Sequence, residues 1–75
     1  MSGATVPPYV RLANEIAAQF PHKAPAEAAV TIANHLRTVW DPRMKKALVD
    51  YLEAGGDELV PAAALAAERL RPGVK

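Results

Sequence analysis

Ile32-Ala33-Asn34-His35-Leu36-Arg37-Thr38-Val39-Trp40-Asp41-Pro42-Arg43-Met44, running on to Leu52 and then Gly55-Gly56, reads as a helix, a one-residue break and a second helix. Asp41 is placed to cap the orphan amides of the second helix, and Pro42 suits its first position, where no hydrogen bond is expected. Proline also disfavours helical geometry at the residue before it, so the first helix must stop near Trp40. The corner is therefore rigid and sets Trp40 beside Arg43.

Outward from this corner the other elements follow. Pro7-Pro8 leads into a helix from about Tyr9 to Phe20, with Tyr9, Leu12, Ala13, Ile16 and Phe20 on one stripe at helical spacing. Arg11 and Glu15 stand on its opposite side, where a weak solvent pair is allowed. Pro21 ends it. Pro25 opens the next helix, Glu27 falls in its acid-favouring first turn, and Ala29, Ile32, Ala33, Leu36 and Trp40 form its stripe. The third runs from Pro42 to about Ala54. It is expected to bury Met44, Ala47, Leu48 and Tyr51 and to leave Lys46, Asp50 and Glu53 wet, with Gly55 or Gly56 as its left-handed stop.

The last helix is the least distinct. Pro61 is a plausible first residue, but Val60 stands where a capping Asp or Ser belongs. Leu59, Ala62, Ala66 and Leu70 make one face, while Leu65 and Arg69 point off it. Strand patterns, repeats and low-complexity blocks are absent from the reading. The expectation is an all-α fold: one domain over residues 1–75, a small bundle of four short helices with proline and glycine corners, and residues 1–6 as a disordered tail.

Composition bounds the function. Seventy-five residues form one small domain, and the absence of cysteine removes disulfides as a support. His22 and His35 are the only strong nitrogen ligands and lie on different segments, so a zinc site is not expected. Small domains without such supports commonly lean on a partner. The formal net charge of +1 leaves no whole-chain footprint for nucleic acid or an anionic membrane. Val60 to Ala67, the longest apolar run, is far below a membrane span, and no secretory signal opens the chain, so a cytoplasmic protein is expected.

The residues show no catalytic constellation. Ser2 stands alone in the tail, Gly55-Gly56 reads as a helix stop rather than a phosphate cradle, and His35 reads as a boundary histidine with a satisfied ring. Asp50, Glu53, Asp57 and Glu58 follow a solvated face and a loop. The corner is different. Arg37, Trp40, Asp41 and Arg43 suit an interface anchor, since Trp and Arg dominate binding hot spots. Trp40 filling the small core is the rival, and both hold if the ring packs inward with one edge exposed. Val49 and Leu52 on the third helix and Leu65 on the fourth add apolar groups that helical geometry leaves over.

From about Tyr9 to Leu70 the chain resembles the delta subunit of cytoplasmic NAD-dependent molybdenum formate dehydrogenase. The resemblance rests on Leu12-Ala13-Asn14-Glu15-Ile16-Ala17, on Ile32 to Arg37, on Trp40-Asp41-Pro42-Arg43-Met44, on Leu48, and on Gly55-Gly56 followed by Leu59. It implies a helical accessory subunit that binds no cofactor and has no active site. The bis-molybdopterin guanine dinucleotide, iron–sulfur clusters and FMN are then expected in the partner subunits. The implied partner is the catalytic alpha subunit, and the implied role is its assembly, cofactor loading or stability. The family's aspartate before the last helix is replaced here by Val60. Two rivals stand beside this reading: a helix-turn-helix-like DNA-binding module opened by Arg43, Lys45 and Lys46, and a helical scaffold that self-associates when isolated.

Overall fold

The computed structural model describes residues 6–71. Four helices account for the architecture: α1 (Pro8–Ala17), α2 (Pro25–Val39), α3 (Pro42–Glu53) and α4 (Pro61–Arg69). Each opens on a proline, where the ring pre-sets the helical φ and the missing N–H loses nothing. No strand occurs among the described residues. Residues 1–5 of the expected tail lie outside them, and Val6 packs against the core.

The central corner forms as its chemistry requires, with one correction of length. The break is two residues, because Trp40 and Asp41 are both extended, with φ/ψ of −84°/142° and −74°/165°. Proline restricts its predecessor Asp41, and Trp40 still donates its N–H to the Leu36 carbonyl to close α2. The Asp41 carboxylate accepts the Met44 N–H at 2.9 Å, which satisfies one orphan donor of α3. At the far end of α3, the Gly55 and Gly56 amides donate to the Leu52 and Tyr51 carbonyls, each at 3.0 Å. Those two bonds make a Schellman stop, with Gly55 at φ +135° and Gly56 at φ +60°.

The first helix is shorter than its spacing suggests. It ends at Ala17, and Gln19 and Phe20 continue in a tight turn, bonded back to Ile16 and Ala17. Pro21 disfavours helical geometry at Phe20, so the last turn tightens instead of extending. The buried face of α1 is Val10, Ala13 and Ala17, with Tyr9, Ile16 and Phe20 at its margins. Leu12, expected on that stripe, is exposed. The face is rotated by the demands of Ala13 and Ala17, whose small side chains let α1 approach its neighbours. Arg11 and Glu15 are both exposed as expected. Among the described residues the ion pairs are instead Lys46–Asp50 and Arg71–Glu53.

The largest surprise is α4. It packs on α1, α2 and α3, and its interface with α2 is the most extensive in the molecule. Its buried residues are Ala63, Ala66 and Ala67, each fully covered, and they meet an α2 face containing Ala28, Ala29, Ile32, Ala33 and Leu36. Alanines on both sides allow close backbone approach. Because α4 is contacted from several directions, its apolar residues are spread around the helix, which explains the poor periodicity in the sequence. Ile32, Leu36, Leu48 and Val10 are the largest fully buried side chains. The rings of Tyr9 and Tyr51 meet edge-on at 6.4 Å and join α1 to α3.

Candidate partner-binding surface

The structure divides the residues expected at a contact. Trp40 is only 8% exposed and belongs to the core, so its inward packing prevails over an anchor displayed to a partner. Val49 is a correction: expected as a leftover apolar group, it is 6% exposed. Leu52 is half-buried against the core and lies over Gly56. Arg43 is exposed, Asp41 is committed to its cap, and Leu65 is 38% exposed on α4. Leu12, Val30, Val39 and Val60 are further exposed aliphatic residues, with Val39 the most open at 61%. His22 and His35 are exposed, so His35 stands outside the stripe margin expected for it.

Arg37 is exposed but engaged. Its guanidinium donates to the Arg69 carbonyl at 2.6 Å and to Asn34 Oδ1 at 3.1 Å. The first bond satisfies a terminal carbonyl of α4 and places a cation at the negative end of that helix. Lys45 does the same for α2, reaching the Arg37 carbonyl at 3.4 Å. Across the same region Arg71 pairs with Glu53 at 3.2 Å. These contacts tie together the ends of α2, α3 and α4.

Between them lies a groove of about 640 Å³. Pro42, Lys45, Lys46, Val49, Asp50 and Glu53 of α3 line one side, and Arg37 and Leu70 complete it. Of the residues expected at a contact, the groove brings together Arg37 and Val49. It does not include Trp40, Asp41, Arg43, Leu52 or Leu65. The spacing of the α3 residues, three and four apart, was the available signal for this face. Lys46, Asp50 and Glu53, three of its members, are charged and so look in sequence like a solvated stripe.

The groove is electrically polarised. Lys45 and Lys46 stand toward the N-terminal end of α3, and Asp50 and Glu53 toward its C-terminal end. Val49 sits between these pairs. The Lys46–Asp50 pair, at 3.1 Å, is well exposed, so it contributes little to stability and is readily exchanged for another partner. The basic residues that suggested a DNA-binding helix are thus partly spent: Lys45 on a carbonyl and Lys46 on a carboxylate.

Among the described residues no group of three or more His, Cys, Asp or Glu is placed to hold a metal ion, and no helix is long and apolar enough to cross a membrane. A family model described as NADH-dependent formate dehydrogenase delta subunit FdsD matches residues 9–67. Comparison with curated proteins and with solved structures found no significant match.

Proposed function

The chain belongs to the family of delta subunits of NADH-dependent formate dehydrogenase, and from that premise we propose that it acts as a non-catalytic accessory subunit. In this reading it binds the large catalytic alpha subunit of a molybdenum formate dehydrogenase and supports its assembly, cofactor loading or stability. The match over residues 9–67, which spans α2 and α3 whole and all but the first residue of α1 and the last two of α4, carries the proposal. A second observation supports it. Leu12, Val30, Val39, Val60 and Leu65 are all exposed on a domain with few large buried side chains, as suits a chain that meets another polypeptide.

The bis-molybdopterin guanine dinucleotide, the iron–sulfur clusters and FMN are held by the partner subunits. This chain contributes surface, not chemistry. Co-expression of the tagged chain with the formate dehydrogenase subunits tests the reading. The catalytic subunit is expected to co-purify in a fixed ratio, and omission of the chain is expected to lower its yield or its molybdenum content. A catalytic subunit that does not co-purify and reaches full cofactor content and activity without the chain would overturn it.

A further inference from the structure

The groove along α3 has a shape and a charge order that select its occupant. Val49 and Leu70 are its aliphatic lining residues, and with Val49 only 6% exposed, the half-buried Leu70 supplies most of the apolar contact open to a seated segment. The aliphatic stem of the half-buried Lys45 adds to that apolar surface while its ammonium donates to the Arg37 carbonyl. From Lys45 to Glu53 the groove follows about two turns of helix, roughly 12 Å at the rise of an α-helix. Ridges spaced three and four residues apart accept the ridges of a second helix.

We propose that this groove receives an amphipathic helix of the partner whose charges run in the opposite order: a carboxylate facing Lys45 and Lys46, a cation facing Asp50 and Glu53, and an aliphatic side chain between them against Leu70. The inference rests on the accessory-subunit reading and names the kind of segment that the partner presents. Charge complementarity argues for it. A uniformly acidic or uniformly basic segment would meet like charge at one end of the groove, whereas a segment of reversed polarity meets opposite charge at both. Two pairs must exchange partners, Lys46–Asp50 and Arg71–Glu53, and the cost of opening each is small because all four groups are already solvated.

The test is the double substitution Lys46→Glu with Asp50→Lys. It places one charge of the opposite sign at each end of the groove and so abolishes its charge polarity, keeps the net charge, and preserves an i,i+4 pair in the more favourable helical orientation, so the fold is retained. In the complex with formate dehydrogenase, affinity is expected to fall at least tenfold, while Glu15→Lys on the outer face of α1 leaves it unchanged. A photocrosslinker at position 46 is expected to label a partner helix carrying acid, aliphatic and base about one turn apart. Wild-type affinity in the double variant, or crosslinks to a loop or to a segment of one charge sign, would overturn the groove proposal and leave the accessory role standing. A dimer of the isolated chain that is lost in the same variant would assign the groove to a second copy and also overturn it. Failure of the wild-type chain to bind formate dehydrogenase at all would remove the accessory reading and this inference with it.

Discussion

Asn14 and Val60, 46 residues apart in the chain, are joined by a hydrogen bond of 3.0 Å in which the Val60 N–H donates to Asn14 Oδ1. The same amide donates from Nδ2 to the Glu58 carbonyl at 2.8 Å. One side chain on α1 thus fastens the loop that leads into α4, a helix without any side-chain cap of its own. In a capping box the residue at the third helical position would satisfy the N–H of the cap residue; here a distant amide takes that part. Asn14→Ala is expected to destabilise the chain by about 1–3 kcal/mol, the sum of two such bonds. Asn14→Asp keeps the acceptor for Val60 but turns a charge toward the Glu58 carbonyl, so it is expected to recover only part of the loss. Thermal unfolding followed by circular dichroism ranks the three. Equal stability of Asn14→Ala and the wild type would show that α4 is held by its alanines alone.

Arg37 gives a second test, because its geometry and its charge are separable. The guanidinium bonds to Arg69 O and Asn34 Oδ1 together, which a single ammonium cannot copy. Arg37→Lys retains the cation near the end of α4 but loses the fork. The expectation is a loss of about 1 kcal/mol for Arg37→Ala and a smaller loss for Arg37→Lys. Denaturant titration with an unchanged slope would register both as changes in stability. If Arg37→Lys falls as far as Arg37→Ala, the bidentate geometry and not the charge is what counts.

The architecture was legible because its punctuation is local. Four prolines at helix starts, Asp41 as a cap and Gly55-Gly56 as a stop act on the backbone within a turn of where they stand. The hub position of α4 was not legible, since periodicity weighs large side chains and the buried residues of α4 are alanines. Val49 was misplaced for a related reason. It lies off the Leu48 and Tyr51 face, yet it is only 6% exposed, a burial set by tertiary packing that no single-helix projection contains. In the sequence Asn14 carries only part of the family resemblance, because its partners, the Glu58 carbonyl and the Val60 N–H, are more than forty residues away.

Burial of Trp40 changes how a contact should be probed. Removing a core tryptophan costs about 3–5 kcal/mol. A domain of this length has roughly 4–11 kcal/mol in total at typical values per residue. Trp40→Ala is therefore expected to melt near ambient temperature, and a loss of partner binding in that variant would report unfolding. Arg43→Glu alters only an exposed charge at the same corner. It is expected to keep the wild-type melting temperature within a few degrees. Binding measured on Arg43→Glu, beside its melting curve, is the clean reading of whether the corner faces the partner.

Val60 occupies a cap position whose backbone is already correct. Its φ and ψ, −68° and 158°, nearly match those of Asp41, −74° and 165°, where the carboxylate does cap a helix. The first turn of α4 also carries no acidic residue to meet the positive end of the helix. Val60→Asp should therefore stabilise the isolated chain by about 1 kcal/mol, the usual worth of a side-chain cap. In a domain of this size that corresponds to a rise of about 4–8 °C in Tm. Asp41→Ala is the reciprocal experiment and is expected to lower Tm by a similar amount, while Val60→Ala removes the partly exposed valine without adding a cap. A flat response to Val60→Asp would mean that the Asn14 amide already supplies what the missing carboxylate would have given. A rise confined to the isolated chain, with weaker binding to formate dehydrogenase, would place Val60 in the contact and explain why an apolar residue stands where a cap belongs.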